Sequence, residues 1–389
     1  MPWANREPMN QRSEFVLRAK GAENFRALCR EYGISARVGY KWLKRYEEEG
    51  LRGMAERSRR PHSSGQGLAE EVVCRIVRLK ERHRHWGARK LREVYRRSWS
   101  DPPSESSFKR VLERCGMVEK RRMRKAAESG RIADGRRAQS PNEVWTVDFK
   151  GWWKDAHGRC LPLTVRDEFS RYVLEIRAVE DGTTETIKEI FEELFAKYGL
   201  PGAIRSDNGP PFASRQGVLG LSRLSVWWLA LGIDLERSRP GCPQDNGAHE
   251  RMHRDLAYEV EAERRVERQA ALDTWREEYN EEKPHEGLDL RTPAEVYHSS
   301  ERKWAGRVDQ LSYPGMRTRK VSERGAIKME ARRVFLSTAL AGWKVGIKAR
   351  SDGCWEVYFA QLLVGTLEAQ TEAFIPSQSG RAIEARAAA

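Results

Sequence analysis

The 389-residue sequence lacks the features that mark membrane, secreted and disulfide-bonded proteins. It contains no apolar run approaching the roughly 18 residues that a membrane-spanning helix needs. Its first residues, MPWANREPMN, include no apolar stretch typical of a signal peptide. The six cysteines are scattered, none forms a CxxC pair, and the closest two are 41 residues apart. These absences predict a cytoplasmic protein with reduced thiols and no membrane partner.

A zinc-binding cysteine–histidine module is also missing from the first part of the chain. His83 and His85 stand close together, but no pair of cysteines follows them at a zinc-ligand spacing. We interpret both histidines as solvated helix residues rather than as metal ligands.

Negative charge is scarce in the first third of the chain. Residues 1–140 contain 35 Lys and Arg but only 18 Asp and Glu, a balance of +17. Residues 141–389 contain 36 Lys and Arg and 39 Asp and Glu, a balance of −3. A basic module joined to a near-neutral body indicates a polyanion-binding segment that serves another domain. The alternative is that the basic surface only aids solubility. The concentration of positive charge in one part of the chain makes this alternative less favoured.

The first basic segment has the pattern of a helix-turn-helix unit over residues 1–56. Apolar residues recur at helical spacing over 13–31, a Tyr-Gly-Ile-Ser turn follows, and Ser35 is suited to cap a second helix that ends at Gly50. An ordinary helical hairpin with a solvated charged face is the alternative for this unit alone. Basic residues of the second helix are expected to face a DNA groove or phosphates, namely Arg37, Lys41, Lys44 and Arg45.

A second helical unit is predicted over residues 68–118, after a linker at 57–67 that is rich in turn formers. Two such units favour DNA binding over a plain charged surface. Residues 119–141 are rich in Lys and Arg and poor in apolar residues, which indicates a basic tether that follows phosphates. The candidate DNA contacts of the second unit are Arg89, Lys90, Lys109 and Arg110.

From residue 142 the pattern changes to strands and amphipathic helices. Three strand segments, a helix, a strand, a helix, a strand and a long helix follow one another in that order. This order predicts an α/β core over residues 142–300, built around a mixed five-stranded sheet.

Three acidic residues of this core stand at positions where they could hold metal ions. Asp148 lies in a strand that should be buried, Asp207 ends a later strand just before an Asn-Gly turn, and Glu250 lies in the first turns of the long helix. An unpaired buried carboxylate is costly, and a bound cation relieves that cost. Carboxylates are the ligands that magnesium prefers, and phosphodiester cleavage uses two such ions about 4 Å apart. Any single acid is more often a surface residue, so the prediction depends on the three contexts together.

Four sequence blocks carry a resemblance to a known family. VWTVDFKGWW, PLTVRDEFSRYVL, RSDNGPPFAS and GCPQDNGAHERMHRDL resemble, in order, the blocks of the DDE integrase/transposase core, which has an RNase H-like fold. YNEEKPHEGLDLRTPAEVY resembles the segment that closes that core. The two helical units resemble the region with which such transposases bind terminal inverted repeats, particularly in the insertion-sequence 481-like group.

The resemblance implies a mechanism and its residues. Asp148, Asp207 and Glu250 would be the catalytic, metal-binding triad for two Mg²⁺ ions, for which Mn²⁺ could substitute. The enzyme would cut at the ends of an insertion sequence with metal-activated water and join the freed 3′-hydroxyl to target DNA. The implied partners are double-stranded DNA, both terminal inverted repeats and target, and further copies of the chain as a homodimer or higher multimer. Arg251 and Arg254 would meet phosphates, and the location would be the bacterial nucleoid.

Two alternatives and two departures from the family pattern accompany this interpretation. A transposase-derived DNA-binding regulator without strand transfer and a structure-selective nuclease remain open.

The 42 residues between Asp207 and Glu250 exceed the spacing of compact family members, and we expect the extra length in a surface loop at 214–222. The missing zinc module favours a bacterial transposase over a viral integrase.

The C-terminal part is predicted to be a small SH3-like β-barrel over residues 312–370. Short alternating strands are separated by turns, and Asp352-Gly353 is typical of a hairpin. DNA contact, contact between protomers and passive stabilisation are equally open roles. Residues 371–389 are rich in Ala and Ser and are expected to be disordered.

Overall fold

The computed structural model describes residues 8–57, 67–118, 137–151, 153–155, 158–238, 247–260, 268–329, 332–368 and 373–377. Most of the predicted linker, basic tether and tail lies outside these residues. The chain divides into two compact units, residues 1–72 and 73–389. No helix in the described ranges combines the length and the apolar character that crossing a membrane requires.

The first unit is a small three-helix bundle. Its helices are α1 (Pro8–Ala19), α2 (Phe25–Glu31) and α3 (Ala36–Glu49), followed by a 3₁₀ turn (Gly50–Met54). Phe15, Trp42 and Met54 are buried in its core. The Ser35 side chain accepts a hydrogen bond from the amide of Val38, which confirms the predicted cap of α3.

The helical pattern over 13–31 covers two helices rather than one. The Asn24 side chain accepts a hydrogen bond from the amide of Ala27 and starts α2 after the break that contains Gly21. The break lets α1 and α2 pack against each other and against α3 in one core, so the expectation of one continuous helix was wrong.

The second unit begins with three further helices. They are α4 (Glu70–Arg82), whose first turn overlaps the boundary between the units, α5 (Ala88–Ser98) and α6 (Glu105–Arg114). Buried Leu91, Tyr95 and Phe108 join α5 to α6, and the Ser104 side chain caps α6. These bounds agree with the helices predicted within 68–118.

A mixed sheet forms the centre of this unit. Its strands are β1 (Val144–Phe149), β2 (Trp153–Asp155), β3 (Gly158–Asp167), β4 (Val173–Val179), β5 (Ala203–Ser206) and β6 (Asp234–Arg237). β4, β3, β1, β5 and β6 lie side by side, with β1, β5 and β6 parallel and β3 antiparallel to its neighbours. The predicted five-stranded mixed sheet is therefore confirmed, with the short β2 added on β3.

Helices cover both faces of the sheet. They are α7 (Thr184–Tyr198), α8 (Arg223–Ala230), α9 (Gly247–Val260) and α10 (Arg268–Glu277). α7 and α8 pack on the face that carries Trp145 and Val147, and α9 and α10 pack against Val173 and Ile176 of β4. The period of two along β1 turns Thr146 and Asp148 away from Trp145 and Val147, on opposite sides of the strand.

The C-terminal strands form an open sheet rather than the predicted barrel. The strands are β7 (Arg317–Lys320), β8 (Ala326–Met329), β9 (Arg332–Phe335), β10 (Lys344–Ala349), β11 (Trp355–Phe359), β12 (Leu362–Leu367) and β13 (Phe374–Pro376). β13, β12, β11, β10 and β7 make one sheet, β8 and β9 a separate hairpin, and among these described strands the edges β7 and β13 do not pair with each other. The predicted Asp352-Gly353 hairpin is confirmed between β10 and β11.

The sheet stays open because its apolar side chains pack on another part of the chain. Val345 and Val357 belong to the same buried cluster as Val226 and Leu229 of α8. Val218 and Leu221, from the segment expected to be a surface loop, are also buried in this cluster. The C-terminal sheet thus buries its apolar side chains against the core instead of closing into a barrel. The expectation of a plain surface loop at 214–222 was wrong for Val218 and Leu221.

Part of the expected tail is also ordered. Phe374–Pro376 pairs with β12, and the Phe374 ring lies beside Gly365, whose missing side chain leaves room for it. The expectation of disorder was wrong for this strand because composition alone does not reveal that packing site.

Candidate functional site

Asp148 lies on the central strand of the core, at the point where β1 faces α9. Its direct partner across the ladder is Thr164 of β3. The Thr164 hydroxyl donates to the Asp148 carbonyl oxygen at 2.9 Å. The Asp148 side chain is 25% exposed, so it opens to solvent from a largely buried position.

Two histidines hold α9 on this strand pair. The Nε2 atoms of His249 and His253 lie 2.6 and 2.8 Å from the Thr164 hydroxyl oxygen. Because the single hydroxyl hydrogen points to the Asp148 carbonyl, both Nε2–H groups donate to Thr164. Thr146 completes the contact, since its hydroxyl oxygen lies 2.9 Å from Nδ1 of His249.

Both imidazoles are neutral at pH 7. Burial lowers the pKa of His249 well below its ordinary value. Burial, followed by repulsion from Lys150 and Arg166, lowers the pKa of His253 to about 4. The two histidines therefore anchor the helix without adding positive charge to the site.

Glu250 is positioned by this anchoring. His249, Met252, His253 and Leu256 follow the spacing of one helix face, and this face packs on the sheet. Glu250 is offset from that face and is exposed. Its side chain is thus presented at the edge of the helix–sheet contact.

Asp207 follows the end of β5 on an exposed turn. Its Oδ1 accepts a hydrogen bond from the Gly209 amide at 3.1 Å. The Asn208 side chain donates to the carbonyl oxygen of Ser238 at 2.7 Å, which ties this turn to the end of β6. β5 is the parallel neighbour of β1, so the turn reaches the same edge of the sheet as Asp148.

The ionisation of Asp148 is affected by its burial and by the two other acids. The pKa of Asp148 is raised to about 7, first by burial and then by repulsion from the Asp207 carboxylate. Glu250 adds a further repulsion that is smaller than the opposing effect of the Phe149 amide. A bound cation would relieve both the burial and the repulsion. A set of only carboxylate oxygens fits a hard divalent ion such as magnesium.

The three acids are nevertheless not gathered as tightly as the ligands of a single-ion site. A different group of metal-capable side chains, His83, Glu278 and Glu282, is gathered more closely. Within the described ranges, the ligand atoms of these three residues all lie within 4.8 Å of one another. The ligand atoms of Asp148, Asp207 and Glu250 thus do not all lie within 4.8 Å of one another, and the structure adds a second cluster that the sequence did not indicate.

The candidate DNA contacts of the first unit lie on one face of α3. Arg37, Lys41 and Lys44 are exposed, and Lys44 lies 3.8 Å from Glu48. Arg45 is half-buried, with its guanidinium 4.9 Å from the centre of the Trp42 ring. Three of the four predicted contacts are therefore accessible to a ligand, although Lys44 pairs with Glu48 and Lys41 lies 5.2 Å from the centre of the Trp42 ring.

The candidates of the second unit differ in accessibility. Arg89, Lys109 and Arg110 are exposed, whereas Lys90 is half-buried beside a cavity of about 170 Å³. Burial and then repulsion from Lys283 lower the pKa of Lys90 to about 8. Arg251 of α9 lines the same cavity and is exposed, as is Arg254.

Sequence reasoning missed several residues that shape the site. Thr146 and Thr164 read as ordinary strand residues, and their role appears only when α9 is placed over them. The alternation that puts Thr146 and Asp148 on one side of β1 is a signal that could have identified Thr146. No local signal marks Thr164, because its partners are 85 and 89 positions away.

His285, in the segment after α10, gives a pH-dependent prediction. It is 7% exposed, and burial followed by repulsion from Lys90 lowers its pKa from 6.5 to about 2. Below pH 6.5 the unfolded chain therefore binds a proton that the folded chain does not. We therefore expect His285 to lower the free energy of unfolding by about 2 kcal/mol when the pH falls from 7 to 5.

Urea unfolding at several pH values, followed by tryptophan fluorescence, measures this effect. The His285→Gln variant should lose that part of the pH dependence even if it is less stable at pH 7. The matched control is His298→Gln, whose imidazole is more exposed and should keep the wild-type slope. Equal slopes for wild type and His285→Gln would contradict the prediction.

Comparison with protein families gives four matches. Two models described as integrase core domain match residues 138–243 and 231–293. A helix-turn-helix domain matches residues 11–62, and a homeodomain-like domain matches residues 38–112. The core matches span the segment that contains Asp148, Asp207 and Glu250.

Individual relatives are found among insertion elements and retroviruses. A 31.7 kDa protein of insertion element IS407 from Burkholderia multivorans is 27% identical over 231 residues, which is 58% of this chain and 80% of that protein. A 39.2 kDa protein of insertion element IS476 from Xanthomonas euvesicatoria is 26% identical over 58% of this chain, but the match spans 64% of that protein. The Gag-Pol polyprotein of baboon endogenous virus is 29% identical over 49% of this chain and 10% of its own length.

Solved structures include integrase cores. The catalytic core domain of HTLV-2 integrase in complex with magnesium is 17% identical and covers 42% of this chain and 100% of its own, with a TM-score of 0.35. The simian T-cell lymphotropic virus intasome in complex with the PP2A regulatory subunit B56 gamma is 18% identical and covers 74% of this chain and 97% of its own, with a TM-score of 0.38.

Proposed function

Because the chain belongs to the DDE integrase/transposase family, we propose that it is an insertion-sequence transposase. It binds terminal inverted repeats, cleaves at the ends of the element and joins the freed 3′-hydroxyl to target DNA. The observation that carries this proposal is the placement of three acids on the integrase-like core: Asp148 on β1, Asp207 just after the parallel neighbour β5, and Glu250 on α9, which contacts Thr164 beside Asp148. These carboxylates, from a strand, a turn and a helix, would together process a phosphodiester at this edge of the sheet.

Asp148, Asp207 and Glu250 would hold two Mg²⁺ ions, for which Mn²⁺ could substitute. Bound there, the ions would activate the attacking oxygen and stabilise the leaving oxygen. Asp148 lies on the central strand and would contact both ions, and the other two acids would each hold mainly one. The neutral imidazoles of His249 and His253 keep α9 on the sheet and thereby orient Glu250.

The helix-turn-helix unit would supply DNA recognition. The exposed side chains of Arg37, Lys41 and Lys44 share the face of α3 that could enter a groove. Arg45, Arg89, Lys109 and Arg110 would add phosphate contacts, and Lys90 would do so from the rim of its cavity. Arg251 and Arg254 flank the triad on α9 and would hold the phosphates next to the reacting bond.

Integration of an element with two ends requires two active sites on one DNA assembly. We therefore propose that the chain acts as a homodimer or higher multimer on DNA, associated with the bacterial nucleoid.

Incubation of the purified chain with DNA carrying the inverted repeats that flank its own gene tests the proposal. With Mg²⁺ we expect nicks at the repeat ends and covalent joining to a second DNA, and none of these products with a chelator. Nicks without joined products would instead identify a structure-selective nuclease. Binding without either product, with Mg²⁺ or Mn²⁺, would identify a DNA-binding regulator.

A further inference from the structure

A buried histidine outside the acidic triad forms a second cluster with two glutamates. His83 follows α4, and its imidazole stacks on Trp86 with ring centres 3.9 Å apart. The residue is 3% exposed, so the expectation of a solvated helix residue was wrong for it. The reason is that α4 packs against the π-turn after α10 (Glu278–Glu282), 195 positions along the chain from His83.

The two nitrogens of His83 have different surroundings. Nδ1 lies 2.5 Å from Oε1 of Glu278, a hydrogen-bonding distance. Nε2 is buried, has no hydrogen-bond partner among the residues that the structure describes, and lies 3.6 Å from Oε2 of Glu282. The other oxygen of Glu282 accepts a hydrogen bond from Arg82 at 2.6 Å, so Oε2 remains directed at the imidazole.

We propose that His83 and Glu282 bind a divalent transition-metal ion of the zinc class, separate from the acidic triad, and that Glu278 orients the His83 imidazole for this role. The ligand atoms of these three residues all lie within 4.8 Å of one another. Imidazole nitrogen suits zinc better than magnesium, which distinguishes this cluster from the all-carboxylate triad.

The gap between the His83 Nε2 and Glu282 Oε2 atoms is wide enough for one zinc ion, with its other coordination positions left to water. An ion about 2.1 Å from both Nε2 of His83 and Oε2 of Glu282 would make an angle of about 118° across their separation, close to tetrahedral. Glu278 accepts the Nδ1–H of His83, which places the lone pair on Nε2 and directs it into the gap. A carboxylate that orients a metal-binding histidine in this way is a recurrent feature of zinc sites.

A protonated His83 bridging the two glutamates is the competing arrangement. In that case Nε2–H would donate to Glu282, yet their separation of 3.6 Å is too long for a hydrogen bond. An intervening ion accounts for both the separation and the unpartnered buried nitrogen. The ion would join α4 of the second helical unit to the catalytic core.

Metal counting on the full chain tests this inference without any DNA, so its result is independent of the proposed function. The chain is freed of metal, supplied with excess Mg²⁺ to occupy the triad, and titrated with Zn²⁺ in competition with a chromophoric chelator. Wild type should bind one more equivalent of Zn²⁺ than the His83→Gln and Glu282→Gln variants. Zn²⁺ should also raise the Tm of wild type by about 3 °C and leave the Tm of those variants unchanged.

Glu281→Gln is the matched control, because Glu281 lies exposed in the same π-turn and should leave the zinc count unchanged. If His83→Gln fails to fold, Glu282→Gln decides the matter, since the Glu282 side chain is 37% exposed and its removal leaves the Glu278–His83 contact in place. Equal zinc counts for wild type and Glu282→Gln would overturn the proposal.

Discussion

Replacement of Glu250 by Gln is expected to lower DNA cleavage and joining at least about a thousandfold while leaving DNA affinity unchanged. The amide keeps the size of the side chain and removes its negative charge. A neutral amide is a poor ligand for a hard cation. Glu250 is exposed, so the substitution leaves the packing of α9 on the sheet intact. The loss should therefore affect chemistry and not folding or binding.

Single-turnover cleavage of end-bearing DNA, with affinity measured separately by gel shift, checks this expectation. Glu189→Gln on α7 is the control, because it makes the same chemical change at an exposed helix position away from the triad. Asp148→Asn and Asp207→Asn should behave as Glu250→Gln does. Cleavage by Glu250→Gln at the rate of the control would remove Glu250 from the proposed site.

The second large effect is expected from a residue that touches no DNA. Thr164→Val keeps the shape of the side chain and removes the hydroxyl that contacts His249, His253 and the Asp148 carbonyl. Two buried imidazole N–H groups and a carbonyl would lose their partner, which should destabilise the core by about 2 kcal/mol. The contact that orients Glu250 would also loosen, so cleavage should fall about 10- to 100-fold.

Urea unfolding and single-turnover cleavage, measured on the same preparation, separate these two consequences. Thr274→Val is the control, since the Thr274 hydroxyl is exposed and bonds only to the carbonyl of Ala270 in its own helix. DNA affinity should be unchanged in both variants. Stability and cleavage at wild-type levels in Thr164→Val would show that the hydroxyl does not position α9.

Local signals in the sequence predicted the elements that carry the candidate site. The alternation around Asp148, the Asn-Gly turn after Asp207 and the helical period around Glu250 each report a short segment whose backbone is determined by near neighbours. The cap at Ser35 and the Gly353 turn were predictable for the same reason. The segregation of basic charge likewise needs no structure to be recognised.

Contacts between distant segments could be decided only by the tertiary structure. The burial of His83 requires a partner 195 positions away, and the position of Glu250 requires Thr164, 85 positions before His249. The C-terminal strands have the alternation of a barrel, but the apolar surface of α8 and of Val218 and Leu221 offers them a different partner. A repeating pattern states which side of a segment is apolar, whereas the choice among possible partners depends on shape and on contacts that form only once the whole chain is packed.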